Sequence, residues 1–169
     1  MKILDLDQAV IVALGSNLGA SEEVLETALV RLEQAGLPIL ARSSWWRSAA
    51  WPDPTQPAYR NAVAIVEANG TPETVLATLL GVEVALGRRR TVRNAPRTLD
   101  LDLIAYGREV RESPGLTLPH PRARERRFVM GPLAEIAPGW VHPVVEKTAE
   151  ALARTATVGV DAAPIRRPA

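Results

Sequence analysis

The sequence predicts one α+β domain, on three observations. Short Val/Ile-rich runs recur at strand length, and the stretches between them carry helix start signals with helical apolar spacing. The length of 169 residues suits a single core, so 1–169 is expected to form one domain, with 1–8 and about 156–169 peripheral.

Taken in order, Ala9 to Leu14 is a short apolar run stopped by Gly15-Ser16-Asn17, which reads as a buried strand entering a tight turn. Ser21, then Glu22 and Glu23, then Leu25, Leu29 and Leu32 predict a helix with an N-cap and an acidic first turn, ended by Gly36. Ile39 to Trp46 is a second strand. Ala49 to Pro57 holds three prolines in nine residues and is read as a loop, since proline cannot donate to a ladder. Tyr59 to Glu67 alternates as a strand, with Asn61, Val63, Ile65 and Glu67 on one face and Ala62, Ala64 and Val66 on the other.

Thr71-Pro72-Glu73 gives an N-cap, a proline at the first helical position and an acid in the first turn, opening a helix to about Leu86 closed by Gly87. The polar stretch Arg88 to Thr98 is a loop and Leu99 to Tyr106 a strand. After a reach of mixed character, helices are expected around Met130 to Ile136 and from about Lys147 to Arg154, with frayed residues from Pro164 onward. The order β-α-β-β-α-β is the split pattern of ferredoxin-like sandwiches, with a mainly antiparallel sheet, helices packed on it and additional C-terminal elements.

Composition narrows the chemistry. Zero cysteines exclude a disulfide scaffold, a cysteine zinc site and a thiol nucleophile, and two histidines exclude a multi-histidine metal centre. Any metal is therefore expected on carboxylate oxygen, which favours magnesium. Asp5 and Asp7 precede the first apolar run, unlike a signal peptide, and no run reaches the ~18 apolar residues of a membrane span, so a cytoplasmic location and no membrane partner are expected. The net charge is +1, yet nine of the 18 arginines lie in two short runs, Arg88 to Arg97 and Arg122 to Arg127.

Leu99-Asp100-Leu101-Asp102-Leu103 is the sharpest local feature. On a strand both carboxylates leave the same face, roughly 7 Å apart, while the leucines face the core. A solvated strand face is the bland reading; a magnesium site bridging phosphate oxygens is the better one, because aspartate is disfavoured in strands and the pair follows Pro96-Arg97-Thr98. Arginine forks bind phosphate bidentately, so both arginine runs are expected to face this pair and a polyphosphate. A solvated basic loop or a nucleic-acid patch competes, but the aromatic string of an RNA-binding sheet is absent, and no nucleic-acid partner is expected. His120, between two prolines and beside arginines, can donate to a phosphate or a base as a neutral ring, although a lone histidine is more often structural. No P-loop or kinase glycine-rich loop is present.

Together ALGSNLG at 13–19, YRNAV at 59–63, VEVALGR at 82–88, APRTLDLDLIAYG at 95–107 and LPHPRARERRFVMGPLAEIAP at 118–138 resemble the 6-hydroxymethyl-7,8-dihydropterin pyrophosphokinase family. The resemblance implies pyrophosphate transfer from ATP to the pterin hydroxymethyl group in tetrahydrofolate biosynthesis, by in-line attack on the β-phosphorus, in a monomer. It implies that Asp100 and Asp102 hold two magnesium ions and, with Arg88 and Arg97, form the catalytic set. Tyr59 and Phe128 would sandwich the pterin, Asn61 would bond its edge, and Ala50 and Trp51 would supply pocket backbone. Glu83, Arg88, Arg90, Arg97, Leu103, His120 and Arg126 would bind ATP. The chain departs from the family pattern between Gly87 and Pro96, where Asn94-Ala95 replace an aromatic-Gly pair. A transferase acting on another small heterocycle and an arginine-rich RNA adaptor are the competing functions.

Overall fold

The structure, a computed structural model, describes residues 4–17, 21–50, 53–86 and 99–165. Its elements are β1 (Val10–Ser16), α1 (Ser21–Gln34), β2 (Ile39–Arg42), β3 (Trp46–Ser48), β4 (Tyr59–Val66), α2 (Pro72–Ala85), β5 (Asp100–Tyr106), β6 (Arg111–Ser113), β7 (Leu116–Leu118), α3 (Arg127–Ile136), α4 (Ala149–Thr155) and β8 (Ala163–Pro164). The main sheet is antiparallel in the order β5-β1-β4-β3-β8, with β2 also on β4, while β6 and β7 form a separate hairpin. This is the expected ferredoxin-like α+β sandwich.

Alternation along the strands gives the sheet two apolar faces. Val10, Val12, Leu14, Ala62, Ala64, Val66, Leu101 and Leu103 pack with α1 and α2 through Leu25, Leu32, Val75 and Leu79. Ile11, Ala13, Val63, Ile65 and Ile104 pack with α3 and α4 through Val129, Met130, Leu133 and Leu152. One register shift separates the Ala105–Ile11 and Leu103–Val12 pairs, leaving Ile104 as an extra residue. That bulge turns both Ile104 and Ala105 toward α3 and α4.

Helix α2 starts as its sequence predicts: Thr71 caps it through a hydrogen bond from the Thr74 amide, and Pro72 follows. Gly36 takes φ +93° just beyond α1, a conformation that glycine reaches without strain.

Three expectations need correction. Gly15 and Ser16 belong to β1 and are not a turn, since both pair across to β4. The predicted strand from Ile39 to Trp46 is broken into β2 and β3. Four residue steps from Arg42 to Trp46 oppose three from Ala64 to Asn61, and at the break Ser43 bonds Val63 through both its amide and its hydroxyl. Pro164 and Ile165 are not frayed: Ala163 and Pro164 pair with β3, and the Ile165 amide donates to Trp45 at 2.9 Å.

Candidate active site

At one end of the sheet a single cross-strand row reads Asp100 (β5), Gly15 (β1), Asn61 (β4), Trp46 (β3). Neighbouring strands lie ~4.8 Å apart, so Asp100 and Asn61 stand roughly 10 Å apart with Gly15 between them. A Cβ built on Gly15 would sit 3.4 Å from Asn61 Oδ1 and 3.9 Å from Tyr59 Cδ1. Its missing side chain therefore leaves an open floor between a buried amide and a carboxylate.

Asp100 and Asp102 are half-buried and share the face of the sheet that carries α3, while Leu101 and Leu103 point into the opposite core. The loop after β7 packs across β5, with the His120 amide donating to Ile104 O at 2.8 Å. His120 is held neutral: burial pushes its pKa down, Arg126 and Arg122 add to that, and Asp102 opposes it. Its Nδ1 accepts from the Arg122 amide at 3.3 Å, which assigns the proton to Nε2 and makes that nitrogen a donor. One aspartate, one neutral imidazole and two arginines thus gather at the row's β5 end, a set suited to an anion chelating a cation.

Hard oxygen donors fit magnesium, which keeps several ligand positions for water and phosphate oxygen. Among the described residues no group of three or more Asp, Glu, His or Cys side chains could enclose an ion. The carboxylate pair fits an ion completed by its substrate rather than one caged by protein.

The other end of the row is built for a flat polar ligand. Asn61 is buried and its Nδ2 donates to Ser48 Oγ at 2.9 Å, which leaves Oδ1 over Gly15. Tyr59 lies opposite Ser48 in the β3–β4 ladder, and Ala50 is buried two residues beyond Ser48. Phe128, in the first turn of α3, carries the Arg126 guanidinium 5.7 Å from its ring centroid, so the cation that helps lower the His120 pKa also lies over a candidate stacking ring. Asn17, fully buried, donates to Pro57 O at 3.3 Å and ties the proline-rich loop to the end of β1.

Not every predicted residue joins this group. Leu103 lies in the core, so only its backbone can meet a ligand. Glu83 is buried on the α2 side of β5, where its Oε2 accepts from the Leu101 amide at 3.4 Å. The second arginine run divides, contrary to expectation. Arg122 and Arg126 face His120, Arg124 acts on His142, and Arg127 turns inward, donating to Ala162 O at 3.0 Å and Ala153 O at 3.2 Å. Trp51, Arg88, Arg90 and Arg97 lie outside the described residues. Sequence reasoning missed Ser48, whose signal was its place opposite Tyr59 and near Asn61, a pairing no local pattern displays. An open groove lined by Glu22, Glu26, Arg42, Trp45 and Ile165 shares no residue with the row.

Comparison with known proteins places the chain in a family. The sequence model of the family described as 7,8-dihydro-6-hydroxymethylpterin-pyrophosphokinase matches residues 11–138. A 2-amino-4-hydroxy-6-hydroxymethyldihydropteridine pyrophosphokinase of Synechocystis sp. is 45% identical over 139 residues, 82% of this chain and 71% of the relative. The protein of that name from Methylorubrum extorquens is 40% identical over 150 residues, 88% of this chain and 94% of the relative. Among solved structures, wild-type Plasmodium falciparum HPPK-DHPS with pteroate superposes with a TM-score of 0.68 at 12% identity, covering 86% of this chain. This chain spans 44% of that one, so the likeness speaks for the fold.

Proposed function

We propose that this chain, which belongs to the 7,8-dihydro-6-hydroxymethylpterin-pyrophosphokinase family, transfers pyrophosphate from ATP to 6-hydroxymethyl-7,8-dihydropterin in folate biosynthesis. The hydroxymethyl oxygen bonds to the β-phosphorus, the bond from that phosphorus to the oxygen bridging it to the α-phosphate breaks, and AMP leaves with that oxygen. The hydroxyl proton is released, and the products are AMP and the pterin diphosphate.

The observation that carries this reading is the row itself. An amide able to bond a pterin edge and a carboxylate able to serve a polyphosphate stand roughly 10 Å apart over a glycine floor. That span suits a bicyclic ring whose hydroxymethyl group reaches toward the phosphates. Asn61 bonds the ring edge, Tyr59 and Phe128 stack on its faces, and Ala50 and Trp51 supply backbone contacts. Asp100 and Asp102 hold two magnesium ions, which neutralise phosphate charge when bound. His120 donates through Nε2, Arg126 and the motif arginines Arg88, Arg90 and Arg97 bind phosphate oxygens, and Glu83 from α2 and the Leu103 backbone from β5 support the nucleotide. Catalysis is then chiefly alignment and electrostatic stabilisation, as in other phosphoryl transfers. The protein acts as a single-domain monomer in the cytoplasm.

Steady-state AMP release tests the reading. AMP is expected only when ATP, magnesium and the pterin are all present, and Asp102→Asn is expected to lower kcat about 100-fold or more while thermal unfolding stays near wild type. Near wild-type turnover of Asp102→Asn at saturating magnesium would remove the carboxylate pair from the mechanism.

A further inference from the structure

We propose that residues 157–164 form a strap that sets the width of the pterin pocket, with Asp161 and Gly159 as its positioning residues. The proposal rests on the assignment of Phe128 and the 49–50 backbone to that pocket. The strap lies beyond the family match, which ends at residue 138.

Its first half is bound to the start of α3. The Thr157 and Val158 amides donate to Glu125 O at 3.1 and 2.9 Å, and the Arg127 amide donates to Val158 O at 2.9 Å. Its second half is bound to the other wall: Ala163 and Pro164 pair with Arg47 and Trp46. Between them a turn is closed by the Ala162 amide donating to Gly159 O at 2.9 Å, and Arg127 Nε donates to Ala162 O.

Each end of that turn touches one wall. Gly159 has φ +68°, and a Cβ there would lie 2.5 Å from Phe128 Cδ1 and 3.1 Å from Cε1, so its backbone abuts the ring. Asp161 Oδ2 accepts from the Ala49 amide at 2.7 Å, fixing the chain where it leaves β3 for Ala50. Residues two apart are separated by at most ~7 Å between Cα atoms, so one short turn spaces the Phe128 ring against the 49–50 backbone. Within 157–165 only Ala162 is buried, so this segment contributes little core. Its contacts serve geometry more than apolar burial. Asp161 reaches the ligand only through Ala49, and Gly159 only through Phe128.

The test uses the full chain, with pterin and ATP varied independently for Asp161→Ala, Asp161→Asn and Gly159→Ala. Asp161→Ala is expected to raise the pterin KM about fivefold to tenfold, the loss expected for one hydrogen bond of ordinary strength at an exposed position. Its kcat and ATP KM should stay within about twofold and its Tm within about 3 °C. Asp161→Asn retains an oxygen acceptor and should restore most of the pterin affinity. Gly159→Ala, which pushes on the ring directly, should raise the pterin KM at least as much. A wild-type pterin KM in both Asp161→Ala and Gly159→Ala would overturn the strap, as would equal losses for pterin and ATP with a falling Tm. Absence of pterin-dependent AMP in the wild type would instead overturn the functional reading on which the strap depends.

Discussion

Gly131→Ala sets two physical effects against each other at a point that bears on the site. Gly131 is buried within α3, and a Cβ there would lie 2.5 Å from Trp46 Cζ3, 2.7 Å from Cη2 and 3.2 Å from Cε3. Carbon contacts are comfortable at ~3.5–4.0 Å, so the indole must retreat by about 1 Å. The ring has little freedom to do so, because it is buried and its Nε1 donates to Glu135 Oε1 at 3.3 Å. Overpacking of this kind costs about 1–3 kcal/mol, and three ring atoms in conflict argue for the upper half of that range. Alanine returns about 1 kcal/mol through helix propensity. The expected net destabilisation is about 1–2 kcal/mol, or a Tm lower by roughly 2–8 °C for a chain of this size. Calorimetry or denaturant unfolding reads it directly. In the double variant with Trp46→Phe, which removes the offending ring atoms, the two changes should cost less than their sum. An unchanged or raised Tm for Gly131→Ala would refute the close approach of α3 to β3, and with it the wall that places Trp46 opposite Asn61.

Two further outcomes follow from particular side chains. His142 is buried, accepts the Val144 and Val145 amides on Nδ1 at 3.1 and 3.2 Å, and has its pKa pushed below the ordinary value, first by burial and then by Arg124. Lowering the pH through ~6.5 therefore protonates the unfolded chain before the folded one, and stability falls toward acid by up to about 1.4 kcal/mol per pH unit. His142→Asn keeps an acceptor and should flatten that part of the pH–stability curve; an unchanged slope between pH 7 and 5 would contradict it. Ser48→Ala strips the partner from a buried amide donor, so stability should fall by about 1–3 kcal/mol. The pterin KM should rise several-fold with kcat little changed, and a variant with wild-type KM would show that Ser48 does not orient Asn61.

The sequence made some of this molecule legible and hid other parts for identifiable reasons. Helix α2 could be read because Thr71, Pro72 and Glu73 are local signals acting on their own backbone. The aspartate pair could be read because a two-residue period needs only a strand to put both carboxylates on one face. The extent of β1 was misread because glycine and serine favour turns locally, whereas here Gly15 and Ser16 pair with Asn61 and Arg60 of β4, a partner strand more than 40 residues away. The break between β2 and β3 depends on Ser43 meeting Val63, a partner 20 residues away. The fate of Arg127 could not be seen from a run of arginines, since what turns it inward is the carbonyl of Ala162, at the far end of the chain. The strap escaped notice because a two-residue strand at a sheet edge has no period, and its proline is tolerated there.

The proposed reaction cleaves ATP between its α- and β-phosphates and moves the β,γ unit intact onto the pterin. Phosphorus-31 resonance of one reaction mixture, the protein with ATP, magnesium and 6-hydroxymethyl-7,8-dihydropterin, tests this most directly. The expected spectrum shows AMP and a pterin diphosphate growing in equal amounts, with no ADP. ADP with a pterin monophosphate, or ATP left unchanged beside the pterin, would contradict the account.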